Sequence, residues 1–178
     1  MNEDECLIGF LKITGRLKKE VRRGWVIEAG VSNPESVADH TFRLVLMAMV
    51  FGDLRGFNSE KMMRLALIHD LGESLVGDIT PSEMNIEIKR KKEDEAIIEL
   101  FGNLPTKLKD EYLCLWDELR NGLSDETKLI LDADKFEMAM QASEYIGEGY
   151  SKEMLGEFKI SAIEQIKDSK ILDLLQLI

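Results

Sequence analysis

Only two histidines occur in the 178 residues, His40 and His69, and each falls on the apolar stripe of a predicted helix. Val37, His40, Leu44, Met47 and Phe51 recur at helical spacing, as do Met62, Leu65, His69 and Gly72, so both imidazoles are expected to face inward. Taken singly, either could be a core side chain satisfied by a carbonyl. The surroundings of His69 add to that. Asp70 follows it and Glu73 stands at i+4, which on one helix places three groups fit for ligation or proton transfer on one flank.

A further carboxylate comes from Leu131-Asp132-Ala133-Asp134-Lys135-Phe136-Glu137. Asp132 has Lys128 at i−4 and Lys135 at i+3, the company of a solvated surface charge. Asp134 instead has Ile130, Leu131 and Met138 around it and is expected to point toward the core. Burying it is costly unless it binds a cation or pairs with an arginine. Two imidazoles and two carboxylates form a mixed N/O donor set suited to Mn, Fe, Co, Ni or Zn. The absence of cysteine from the set argues against a structural zinc.

The elements that must position these residues are helical. Apolar residues recur at three- and four-residue spacings almost throughout, and no convincing strand alternation is present. An all-α fold is expected, with helices near 3–19, 36–54, 59–75, 83–101, 106–120, 125–147, 152–166 and 168–177, in a single domain over 1–178. Ser36, Ser59 and Ser124 are placed as N-caps. Gly24 to Pro34 and Gly77-Asp78-Ile79-Thr80-Pro81 read as loops. The run Lys89-Arg90-Lys91-Lys92 is flanked by Glu87, Glu93, Asp94 and Glu95 and reads as a solvated helix face.

Composition narrows the functional class. Apolar residues make up 44% of the chain and charged ones 32%, enough for a core without staples. Two cysteines, Cys6 and Cys114, are too few for a disulfide framework and fit a reducing cytoplasm. The net charge of −11 disfavours binding to a nucleic-acid polymer. The acidic start and the lack of a long apolar run predict neither export nor a membrane span.

Five ordered segments carry a family resemblance: Arg22-Arg23-Gly24-Trp25, Ser36-Val37-Ala38-Asp39-His40, His69-Asp70-Leu71-Gly72-Glu73, Gly77-Asp78-Ile79-Thr80-Pro81, and Asp132 through Glu137. Together they resemble the HD-domain metal-dependent phosphohydrolases, in particular the subgroup of 5′-deoxynucleotidases. The resemblance implies a helical bundle holding one divalent metal ion per chain (Mn, Co, Zn, Ni, Fe or Mg) on His40, His69, Asp70 and Asp134. It further implies that Glu73 is catalytic, transferring a proton or orienting water. Arg22 or Arg23 would hold the phosphate, Trp25 would crowd the sugar and Asp78 would position the substrate. The implied activity is hydrolysis of 5′-deoxyribonucleoside monophosphates without a phospho-enzyme, by a protein expected to be a homodimer. Two alternatives are hydrolysis of a triphosphate, cyclic or alarmone-like nucleotide, and a metal-stabilised nucleotide-binding module without catalysis.

Overall fold

The computed structural model describes residues 2–178 and is helical throughout. The order is α1 (Glu3–Thr14), a 3-10 turn (Gly15–Lys18), α2 (Arg23–Ala29), α3 (Val37–Arg55), α4 (Ser59–Ile68) and α5 (Glu73–Val76). There follow α6 (Ile86–Phe101), α7 (Thr106–Asn121), α8 (Asp125–Gly147), α9 (Lys152–Gln165) and α10 (Ser169–Leu175). No helix among the described residues is long and apolar enough to cross a membrane.

Local chemistry accounts for the starts that matter here. Ser36 accepts from the Asp39 amide while the Asp39 side chain accepts from the Ser36 amide, a capping box that sets α3 in phase so that His40 arrives one turn later. Ser124 caps α8 by accepting from the Thr127 amide alone, whereas α4 is capped by Asn58, which accepts from the Lys61 amide, and not by the expected Ser59, its first residue. The expected helix over 59–75 is two helices, because α4 ends at Ile68 and residues 69–72 form consecutive turns before α5. The segment 24–34, expected as a loop, contains α2, closed by Gly30 in the left-handed region at φ 65°.

The long helix α8 is the axis of the bundle. It is buried on almost every side, through residues such as Ile130, Ala133, Phe136, Ala139 and Ala142, and packs against α3, α4, α9 and α10. One core joins Leu44, Met62, Leu65, Ile97, Phe101, Ile130 and Ile171. A second, smaller one gathers Trp25, Ala29, Val31, Ala142, Tyr145 and Leu155 between α2, α8 and α9. The site described below lies where these two cores adjoin along α8.

Asp132 departs from the expectation of a solvated charge. It is buried, and its Oδ2 accepts from the amides of Lys167 and Asp168 at 3.1 and 2.7 Å. The reason is tertiary, since α10 returns over α8 and its entry leaves backbone donors that need an acceptor. Replacing Asp132 with Ala orphans both donors, with an expected loss of about 1–3 kcal/mol in chemical denaturation. An unchanged denaturation midpoint would contradict this role.

Candidate active site

Three helices deliver the four residues expected to bind metal. His40 projects from the first turn of α3, with no exposed surface. His69 and Asp70 sit at the turn that ends α4, and Asp134 comes from the middle of α8. His40 Nε2 stands 3.2 Å from His69 Nε2 and 3.1 Å from Asp134 Oδ1. Asp70 Oδ2 lies 2.9 Å from His69 Nε2 and 3.9 Å from His40 Nε2.

The tautomers follow from what the other ring nitrogens touch. His40 Nδ1 is hydrogen-bonded to the fully buried carboxylate of Glu137, and His69 Nδ1 lies 2.6 Å from the carbonyl oxygen of Ala66. Both partners only accept, so both Nδ1 atoms carry the proton and, in the neutral rings, both Nε2 atoms present lone pairs. Two imidazole lone pairs and two carboxylates thus converge within a few ångströms, an arrangement that a shared cation or proton must hold together. The donor set and its spacing fit a divalent cation, and the Nδ1 contacts are those that usually orient metal-bound histidines.

The charges in the cluster bear on one another strongly. Burial and Arg22 oppose a charge on His40, but hydrogen bonds to Asp134 and Glu137 outweigh them and push its pKa up to about 9. Burial likewise works against ionising Asp134 and Asp70. Lys135 and His40 nevertheless hold Asp134 well below the usual carboxylate range, and His69 and Arg22 do the same for Asp70. Glu137 is kept ionised despite its burial by His40 and by Arg43, whose Nε donates to Oε1 at 2.8 Å.

Glu73 behaves in the opposite way. It is the first residue of α5 and almost wholly buried, and burial, followed by the charges of Asp70 and Asp78, raises its pKa well above the ordinary value. Its Oε2 is buried with no hydrogen-bond partner. A carboxyl in this setting holds a proton that it can give to a leaving group. Gly72 lets the turn lie close on α6, because a Cβ there would lie 3.3 Å from the Glu93 carbonyl oxygen, and α6 would have to give by a few tenths of an ångström to admit it.

These groups open onto a cavity of about 900 Å3 lined by residues including Arg22, Trp25, Asp70, Glu73, Asp78 and Asp134. Arg22 reaches it because an isolated antiparallel bridge, Val21 to Ser36, fastens the preceding segment to the start of α3. The amide of Arg22 donates to Glu35 and that of Val37 to Glu20. Arg22 Nη1 donates to Asp70 Oδ2 at 3.1 Å. The guanidinium of Arg23, by contrast, is half exposed and paired with Glu83 outside the cavity. Only its backbone serves the site, donating to Asp78 Oδ2 at 2.6 Å.

Trp25 is both wall and packing residue. It is 2% exposed, meets Tyr145 edge-on and Phe158 with centroids 4.4 Å apart, and donates from Nε1 to Glu35 at 3.0 Å. Three cavity or support residues escaped the sequence reading. Lys135 lines the cavity and donates to Asp134 Oδ2 at 2.8 Å. Lys89 lines it too, although its run was expected to be a solvated face. Glu137 supports His40 from behind. Their positions held the signal: Glu137 follows Ile130 and Ala133 on a buried stripe, and Lys89 precedes Glu93, Ala96 and Leu100 on another.

The fold and the histidine–carboxylate cluster define a class, and comparison with known proteins agrees with it. The HD domain family matches residues 14–176. The chain is 44% identical over 141 residues to the protein named 5′-deoxynucleotidase HDDC2 from Mus musculus, covering 78% of this chain and 69% of that one. It is 36% identical over 171 residues to the protein of the same name from Danio rerio, covering 96% and 84%. The crystal structure of the PH0347 protein from Pyrococcus horikoshii OT3 matches with a TM-score of 0.79 and 33% identity, covering 95% of this chain and 96% of that one. The chain belongs to the HD-domain family.

The support of His40 by Glu137 is open to test. Glu137→Gln keeps the shape but offers an amide whose N–H2 competes for Nδ1, permitting the tautomer with a protonated Nε2. Divalent-metal affinity, measured by titration of the stripped protein, is expected to fall about ten- to a hundredfold. Unchanged affinity would show that the Glu137 contact does not set the tautomer.

Proposed function

We propose that this chain is a metal-dependent phosphomonoesterase that hydrolyses 5′-deoxyribonucleoside monophosphates to deoxyribonucleoside and phosphate. The observation that carries the reading is the pairing of a cation-fitted His40, His69, Asp70 and Asp134 cluster with the buried carboxyl of Glu73, whose Oε2 has no hydrogen-bond partner, in one cavity. The names of its relatives at 36–44% identity support the substrate class. The cavity is of the size that takes a small-molecule ligand. One HD-type domain spanning 1–178 is the proposed unit.

His40, His69, Asp70 and Asp134 would hold one divalent cation, of the range Mn, Co, Zn, Ni, Fe or Mg. Such a cation, when bound, polarises a phosphoryl oxygen and acidifies water. The chain supplies the rest. Arg22 stays charged, because burial is outweighed by the carboxylates around it, Asp70 and Asp134 first, and it binds the phosphate by charge-assisted hydrogen bonds. Glu73 holds its proton at the carboxyl and delivers it to the departing 5′ oxygen. Asp78, fixed by the Arg23 amide, orients the sugar side of the substrate, and Trp25 narrows the cavity beside it. Both histidines are committed to the cluster, which leaves no base for a serine or cysteine nucleophile. Direct attack by water is the consistent route.

Two substitutions separate binding from chemistry. Asp70→Ala is expected to lose both bound metal and phosphate release, whereas Glu73→Ala should keep the metal and lose turnover by about 100-fold or more. Metal content by elemental analysis and phosphate release from dAMP and dTMP are the measurements. Near-wild-type turnover by Glu73→Ala would overturn its role.

We also propose a cytoplasmic homodimer. Its support is the outer face of α3, where Phe42, Leu46, Met49, Val50 and Leu54 are exposed at i, i+4, i+7, i+8 and i+12, on the side away from the buried stripe of Val37, His40, Leu44 and Ala48. A contiguous apolar stripe of this length is unusual on a lone soluble protein. Light scattering should give twice the chain mass for the wild type and one chain mass for a Phe42→Asp, Leu54→Asp double variant. A monomeric wild type would contradict the dimer.

A further inference from the structure

Among the described residues, three cations line the cavity, Arg22, Lys89 and Lys135, and Lys89 is the least tightly paired. It stands on the first turn of α6, with Nζ 3.7 Å from Glu73 Oε1 and 3.5 Å from Glu93 Oε1. Both separations are longer than a well-formed hydrogen bond. The other two lining cations are more tightly engaged, Arg22 with Asp70 at 3.1 Å and Lys135 with Asp134 at 2.8 Å. Lys89 therefore keeps donors available beside Glu73.

Its position is built rather than incidental. Glu93 is held from the far side by Arg120, whose Nη1 lies 3.0 Å from Oε2. The next residue, Asp94, accepts from both Trp116 Nε1 and Arg120 Nε at 2.9 and 3.0 Å. Arg120 also lies over the Trp116 ring, so α7 locks this part of α6. On the near side, the Glu93 backbone meets the turn before α5 at Gly72, where no Cβ fits without displacement. The same residue of α6 that backs the lysine thus also touches the turn that carries Glu73. Burial opposes a charge on Lys89, but the nearby carboxylates, Glu93 with Asp70 and Asp78, outweigh it and raise its pKa.

We propose that Lys89 binds a non-bridging oxygen of the substrate phosphate beside Glu73, as a second phosphate cation with Arg22. The proposal deepens the phosphomonoesterase reading and rests on it for the identity of the substrate. Two cations on one phosphate fix its rotation, where a single contact would leave it free to turn. The contact next to Glu73 leaves the ester oxygen directed at the proton that Glu73 holds.

The test uses the metal-loaded full chain, with Lys89→Met to remove the charge at similar volume and Lys89→Arg to restore it. Inorganic phosphate is the probe, by calorimetric titration, alongside kcat and KM for dAMP, metal content and melting temperature. For Lys89→Met, phosphate affinity is expected to fall roughly ten- to a hundredfold, with a matching rise in KM for dAMP, unchanged metal content and partial recovery in Lys89→Arg. If phosphate affinity is unchanged while kcat falls, Lys89 acts only by positioning Glu73 and the proposal is overturned. No change in either quantity, or no phosphate binding by the wild type, would also overturn it. If Lys89→Met melts early, the decision passes to Lys89→Arg, whose phosphate affinity must then stay within about tenfold of wild type. Phosphate binding that depends on Lys89 in a protein that turns over no monophosphate would sink the nucleotidase reading while leaving the lysine's role intact.

Discussion

A carboxylate with no exposed surface, Glu137, is the constraint on which the rest of the site depends. Burying it costs several kcal/mol unless its oxygens are bonded, and it is bonded on both sides, to Arg43 and to His40. The Arg43 contact keeps it charged, and a charged Glu137 keeps the proton of His40 on Nδ1. In the neutral ring, His40 Nε2 then faces His69, Asp134 and Asp70 as an acceptor among acceptors. Such a cluster needs a positive charge at its centre, which a proton on His40, whose pKa Asp134 and Glu137 push up to about 9, or a bound cation supplies.

Around that centre the charges are sorted by environment. Asp70 and Asp134 are held ionised by the cations and imidazoles they touch, whereas Glu73, three residues from Asp70, is held protonated by burial and by the neighbouring carboxylates. The same functional group thus serves as ligand candidate and as proton carrier in one cavity. The cations are distributed to match, with Arg22 carried in by the bridge to α3, Lys135 on the helix of Asp134, and Lys89 on the helix that closes over Gly72. The two supports, the α3 capping box and the α6 to α7 lock, are made by residues that do not themselves line the cavity.

Much of this was legible in the residues themselves. Period and caps located most of the helices, and the inward phase of His40, His69 and Asp134 followed from their apolar neighbours three and four positions away. What escaped reading was set by distant partners or by conformations that local patterns do not mark. The break after Ile68 is hidden because His69 and Gly72 keep right-handed helical dihedrals, so the apolar spacing runs on across the turns. The flank shared by His69, Asp70 and Glu73 is in fact a tight turn, which is what lets Asp70 and Glu73 both line the cavity. Asp132 has a helix-surface neighbourhood within α8, and its true partners lie 35 and 36 residues away. Lys89 was masked by three exposed basic neighbours, and α2 by its brevity and its bounding glycines.

The most direct test is phosphate release from a panel of deoxy- and ribonucleoside 5′-monophosphates by protein stripped of metal and then refilled separately with Mn, Co, Zn, Ni and Mg. The account predicts no release by the stripped protein and restored release from the deoxy members with at least one of these ions. Release that persists undiminished after stripping, or turnover confined to triphosphates or cyclic nucleotides after refilling, would contradict it.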